Sequence, residues 1–199
     1  MTASRTLPWD WYAGSIPDNV VIDETAYVET SFSFHCYRSR VQAGVHVGSG
    51  TSVYLGTMFD VGLRGRVGIG EYALVNGAWI ICDGEITIGD YALISWNVVL
   101  MDSYRVPVDA QARRQALERI AGRSERLLDG DVSARPVHIE RNVWLGFGVC
   151  VLPGVRIGEG SIVGAQSVVC ENVPPYCIAA GNPARIVRRL DAEGGRHGA

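Results

Sequence analysis

An aliphatic residue returns every six positions along most of this chain: Ile139, Leu145, Val151, Ile157, Val163 and Val169 follow one another without a gap. Neither the 3.6-residue period of a helix nor the two-residue period of a flat strand selects those positions. An earlier set, Ile69, Val75 and Ile81, then Ile88, Ile94 and Leu100, keeps the step with one extra residue between its triplets. Weaker triplets precede it: Ile16, Ile22 and Val28; Phe34, Val41 and Val47; Val53, Phe59 and Leu63. Repetition at a fixed period decides architecture ahead of local propensity. Between the aliphatics stand Gly48-Ser49, Gly70-Glu71, Gly89-Asp90 and Gly158-Glu159, pairs suited to sharp corners, whereas the aliphatics themselves favour strands. The pattern predicts an all-β, three-sided solenoid of about seven coils rising by about 4.8 Å each. The position two before each inward aliphatic faces a tight corner and should be small, as Ala73, Ala92, Ser161 and Ser167 are. Trp79 breaks that rule and marks the register there as irregular.

The rhythm stops after Leu100 and resumes at Ile139. The insertion, residues 101–138, contains VDAQARRQALERIAG, in which Ala112, Ala116, Leu117 and Ile120 can share a helical face behind Asp109 as N-cap. Both ends of such an excursion must rejoin adjacent coils, so Asp102 and His138 are expected to be neighbours. The chain divides into an N-terminal arm (1–15), a β-helix domain (16–182) holding the insertion, and a C-terminal segment (183–199) with a short helix and a disordered tail containing His197. Trp9, Trp11 and Tyr12 in the arm are expected to pack over the first coil.

The 199 residues carry 18 Lys+Arg against 21 Asp+Glu, a formal charge of −3, which offers no basic field for nucleic acid or an anionic membrane. Residues 1–15 lack a basic start followed by an apolar run, and no 18-residue apolar stretch occurs, so a cytoplasmic protein is expected. The five cysteines (Cys36, Cys82, Cys150, Cys170, Cys177) form no CxxC pair, which points away from a disulfide framework or a zinc knuckle and towards small apolar fillers.

The stretch ERNVWLGFGVCVLPGVRIGEGSIVGAQSVV, followed by VPPYCIAAGNPARIVRRL, resembles the hexapeptide-repeat acyltransferases, most closely the sugar O-acetyltransferases of the galactoside and maltose type. The resemblance runs from about Ile69 to Leu190. It implies a left-handed parallel β-helix, a homotrimer with active sites between subunits, acetyl-CoA or another acyl-CoA as co-substrate, and a small-molecule acceptor, with no metal. Matched one at a time, the family's acceptor-binding residues fall on Asn76 and Asp83, with Ala78 where a second Asn stands in the family. Trp144 of NVWLG matches a cleft-wall Trp, Gly164 and Ala165 match the coils that hold CoA, and Arg185 and Arg188 are basic groups for its phosphates. Glu171 stands where the family usually has Lys. The family's catalytic His, which follows the fifth coil, falls at Arg105, and no histidine lies between His46 and His138.

Acyl transfer to an alcohol needs a base near neutral pKa and donors for the oxyanion. Arginine cannot be that base, though Arg105 could donate to an oxyanion or grip an anionic acceptor. His138 is the leading substitute, with Asp102 as the carboxylate that would orient it. His35 and His46 belong to the second coil, about 14 Å below the fifth at the usual strand spacing, and would serve a separate site if any. Three readings remain open: an acyltransferase with an altered base, a non-catalytic trimeric homologue that binds a ligand or partner, and a zinc hydrolyase, which would need three converging histidines. Gly68-Ile69-Gly70-Glu71-Tyr72-Ala73 fits GxGxxA, but a strand and not a helix follows, so no dinucleotide fold is read from it.

Overall fold

In the computed structural model, residues 5–123 and 133–191 are described; the expected tail with His197 lies outside them. The corner pairs and six-residue steps fold the chain around three sheets, of six, eight and five strands. The first face holds Val20–Ile22, Val45–Val47, Arg66–Ile69, Glu85–Ile88, Val137–Ile139 and Arg156–Ile157. The second begins with Tyr27–Val28, Ser52–Tyr54, Leu74–Asn76 and Leu93–Ile94 and continues through Trp144–Leu145 and Ile162–Val163 to Cys177–Gly181 and Ala184–Arg189. The third holds Met58–Val61, Trp79–Cys82, Val99–Met101, Cys150–Val151 and Val168–Val169. All pairings are parallel except the last on the second face.

One inward column rises along each face. Val47, Ile69, Ile88, Ile139 and Ile157 are in register on the first. Val28, Val53, Val75, Ile94, Leu145 and Val163 stack on the second, and Phe59, Ile80, Leu100, Val151 and Val169 on the third. These side chains are almost wholly buried, and burial of each stabilises by about 1.5–3 kcal/mol relative to leaving it exposed. The expected small corner residues are buried too. Ser161 Oγ donates to Pro174 O at 2.7 Å and accepts from Cys177 N at 3.0 Å, so it satisfies backbone groups of the next coil.

Four details differ from the sequence reading. The extra residue of the fourth coil falls at the Gly77 corner, where φ is +52°, so Ala78 takes the small site, Ile80 points inward and Ile81 outward. Trp79 consequently faces outward, 44% exposed, and Leu63 is exposed rather than inward. The expected C-terminal helix is a strand, Ala184–Arg189, antiparallel to Cys177–Gly181. The turn at Gly181-Asn182-Pro183 reverses the chain onto an open strand edge, whose backbone groups a helix would leave unpaired. Cys82 and Cys177 are buried fillers, but Cys170 is exposed.

The insertion contains the one α-helix among the described residues, Ala110–Ala121, with Asp109 accepting from Ala112 N at 2.8 Å as N-cap. Ala116 is its buried residue; Leu117 is 56% exposed, so the expected four-residue apolar face is only partly used. At the other end, Trp9 stacks on Tyr27 at 5.6 Å and donates to Val28 O, while Tyr12, Phe32 and His35 form an aromatic cluster, so the arm covers the first coil. The register at the fourth coil is directly testable. Ile80→Ala should cost about 2–5 kcal/mol in denaturant unfolding, and Ile81→Ala under about 1 kcal/mol as an outward substitution; the reverse ranking would contradict the register.

Candidate active site

The corner between the third and first faces, where the insertion leaves the column, gathers Asp83, Asp102 and Arg105. Asp102 follows the strand Val99–Met101 and is fully buried. Its carboxylate accepts from Asp83 N at 2.9 Å, Gly84 N at 2.7 Å and the Cys82 thiol at 3.4 Å. Burial raises the Asp102 pKa against those donors, and the same burial, together with the Asp102 charge, pushes the Cys82 thiol up. Arg105, at φ +53°, turns its guanidinium back into the corner. Its Nε donates to Asp83 Oδ2 at 2.7 Å, Nη1 lies 2.7 Å from Asp60 Oδ1, and Nη2 donates to Asp60 O at 2.8 Å. Ser103 Oγ donates to the same Asp83 oxygen at 2.8 Å, and Arg38 Nη2 lies 3.6 Å from Asp60 Oδ1. Burial works against the Arg105 cation, but the hydrogen bonds and charges of Asp83 and Asp60 outweigh it, leaving its pKa above the ordinary value.

Arg105 is therefore a clamp between two carboxylates from lower coils, with its side chain 11% exposed. A guanidinium held by both carboxylates and a carbonyl has little freedom to meet an oxyanion or an anionic acceptor. Asp83 in turn is committed to Arg105 and Ser103.

The expected pairing of Asp102 with His138 is not formed. The ends of the insertion do rejoin, because Arg135 N donates to Asp102 O at 2.8 Å. The Asp102 carboxylate, however, turns to the backbone of residues 83 and 84, whereas His138 stands on the outer surface of the first face. There His138 Nδ1 and Thr87 Oγ1 share a hydrogen bond of 2.8 Å, across adjacent strands in register. The hydroxyl, not the carboxylate, orients the imidazole. In the same outward row lie His46, Gly68, Thr87, His138 and Arg156, one per strand.

The other expected residues occupy the opposite side of the column. Asn76 ends the strand Leu74–Asn76 at the corner between second and third faces, so the strand Trp79–Cys82 separates it from Asp83. The two are not brought together within one chain. Trp144 faces outward on the second face, 46% exposed, and its indole N–H donates to Ser95 Oγ at 3.2 Å. Gly164 and Ala165 form the corner after Ile162–Val163, and a Cβ on Gly164 would stand 3.1 Å from that of Ala180. Arg185 is the register partner of Ala180 and Arg188 that of Ile178, so all four lie at one end of this side. Arg185 Nη1 stands 3.6 Å from Glu171, the acidic residue at the family's lysine position. Thr87, Asp60 and Gly68 were missed by the sequence reading. Only Gly68, a glycine directly before the inward Ile69 and outside any corner pair, carried a signal.

Comparison with known proteins agrees with this architecture. Residues 136–171 match the family model for the bacterial transferase hexapeptide (six repeats). The hexapeptide-repeat containing acetyltransferase VCA0836 of Vibrio cholerae, solved with acetyl-coenzyme A, superposes with a TM-score of 0.58 at 30% identity, covering 73% of this chain and 71% of that one. The chain therefore belongs to the hexapeptide-repeat transferase family. A Staphylococcus aureus protein named "Putative acetyltransferase SACOL2570" is 52% identical over 63 residues, 32% of either chain, so the match spans about a third of that relative. The Saccharomyces cerevisiae protein YJL218W, similarly named, is 37% identical over 123 residues, 61% of this chain and 55% of that one.

Arg105→Ala leaves two half-buried carboxylates without their shared cation and should cost about 3 kcal/mol or more of unfolding free energy. Chemical denaturation checks this; an unchanged midpoint would remove the clamp.

Proposed function

We propose that this protein is an acyl-CoA-dependent O-acyltransferase, acetyl-CoA being the expected donor, that acylates a hydroxyl of a sugar or similarly polar small molecule. Family membership supports the reaction class, and the 2.8 Å pairing of Thr87 with His138 carries the assignment of the base. An imidazole can take the proton from an acceptor hydroxyl as its oxygen attacks the thioester carbonyl. The same imidazolium can then protonate the departing CoA thiolate. Arg105 and Asp102 are assigned structural roles, and Asp83 holds Arg105 in place of contacting the acceptor.

The donor would run along Gly164 and Ala165 towards Arg185 and Arg188, with Trp144 and Asn76 on the same side. His138 belongs to a different face of the column. A complete site therefore requires a second copy of the chain, whose donor-binding corner would face the His138 surface of its neighbour. The homotrimer of left-handed β-helices that the family suggests meets this need. Leu55, Trp96 and Phe147, each more than half exposed, lie along the second-to-third corner, where Gly77 occupies the turn between Leu55 and Trp96, and fit its contact surface. No helix among the described residues is long and apolar enough to cross a membrane, and a cytoplasmic location accompanies the proposed donor. No cluster of three or more His, Cys, Asp or Glu able to hold a metal occurs among the described residues, and none of these steps calls for one.

The second reading, a trimer that binds CoA or another ligand without turnover, is favoured by the locked Arg105 at the family's histidine position. A thiol-release assay with acetyl-CoA and a panel of sugars, alongside calorimetric CoA binding, separates the two: binding without turnover selects the second. In the first, His138→Ala should lower kcat by about 10²-fold or more while CoA binding stays unchanged; a loss under about tenfold would reject His138 as base. Sedimentation should give about three times the 21.6 kDa chain mass, and Trp96→Glu with Phe147→Glu should release monomers. An unaltered trimer would move the interface elsewhere.

A further inference from the structure

The glycine at position 68 has no reason inside its own chain. It sits within the strand Arg66–Ile69, where glycine is unfavourable for want of a side chain and for its entropy, and it does not have the positive φ that calls for glycine. A Cβ there would meet nothing within 4 Å. Every other described glycine has a positive φ, has an atom within 3.4 Å of that point, or ends the α-helix. A strand glycine with open space above it commonly marks a close external approach.

The surroundings show what could approach. Gly68 floors a trough across the first face, with His46 one strand below and Thr87 one strand above. A recess of about 440 Å³ on one side is lined by Asp23, His46, Glu71 and Thr87, and a second of about 320 Å³ on the other by Gln42, His46 and Arg66. The hydroxyl of Thr25 chiefly, and His46 in part, hold the Asp23 carboxyl below the usual range, so it is an acceptor at neutral pH. Acceptors and donors thus ring a flat backbone floor over which no bulky side chain rises. Two carboxylates against one guanidinium give no field that would hold a phosphate or carboxylate ligand. A neutral ring carrying several hydroxyls fits, with its C–H face on Gly68 and its hydroxyls on the rim.

We propose that the trough over Gly68 is the acceptor subsite, and that it takes a neutral pyranose-sized polyol lying flat on the strand. Thr87 is one strand from Gly68, about 4.8 Å, and its partner His138 is the next, so a hydroxyl at the upper rim would lie beside the imidazole. This placement rests on the acyltransferase reading for its chemistry but not for binding. It also differs from a site at Asn76 and Asp83, which stand at different corners within one chain.

The test uses methyl β-D-glucopyranoside and methyl β-D-galactopyranoside as probes with the full chain, reading His46 and His138 imidazole NMR signals and saturation transfer to the sugar. At least one glycoside should shift both imidazoles. Gly68→Val, whose side chain enters the open space, should weaken that binding about tenfold or more by steric exclusion while sedimentation and CoA binding stay as in the wild type. Gly68→Ala is the smaller variant if valine impairs folding; it should melt no lower than wild type and still weaken binding. Absence of any imidazole shift, undiminished binding by both variants, or dissociation of the oligomer by Gly68→Ala would each overturn the proposal, the last because a partner's backbone would then be the occupant. Binding in the trough without acyl transfer would leave the subsite standing and reject the acyltransferase; undiminished transfer to a glycoside by Gly68→Val would do the opposite.

Discussion

The three inward columns of aliphatic side chains are the constraint from which the rest follows. Each coil contributes one such residue per face, and each lies in register on its counterpart a strand away. A parallel pair needs a long connection, and here the connection is the rest of the coil itself. Backbone pairing and apolar burial are thus satisfied by the same turn of chain. Outward positions are released from packing, which is why polar rows such as His46, Gly68, Thr87 and His138 can be assembled on a face without disturbing the core.

The insertion illustrates how a regular column carries an irregular segment. Its entry is secured by Asp102, which accepts from two backbone amides of the coil below, and by Arg105, which reaches two lower coils through Asp83 and Asp60. Its exit is secured by Arg135 pairing with the Asp102 carbonyl. Arg105 thus acts as an anchor for the start of the insertion. On the adjoining first face, the His138 imidazole leans on the Thr87 hydroxyl.

Much of the fold was legible in residue types, because six-residue periodicity leaves few architectures able to bury every sixth side chain. The inward residues at Ile139 through Val169, the small corners and the Asp109 cap followed from local rules. The register at Ile80 was lost because Gly77 and Ala78 could each absorb one extra residue, and only the neighbouring coils decide between them. The strand Ala184–Arg189 was missed for a related reason: its partner is an exposed edge that exists only once the last coil is built. The site was less legible. The ends of the insertion that carry Asp102 and His138 do rejoin, but the direction of a carboxylate depends on which unpaired amides surround it.

The sequence alone determined that this chain winds into a three-sided β column with one excursion, since that outcome needs only the spacing of apolar residues and corners. It also showed that no histidine lies between His46 and His138. Tertiary structure decided which polar groups meet: Arg105 with Asp83 and Asp60, His138 with Thr87, and Gly68 with nothing of its own. Those meetings join residues 22 to 51 positions apart, and the six-residue rhythm fixes only how far each is from the core, whereas stacking of coils fixes which neighbour it faces.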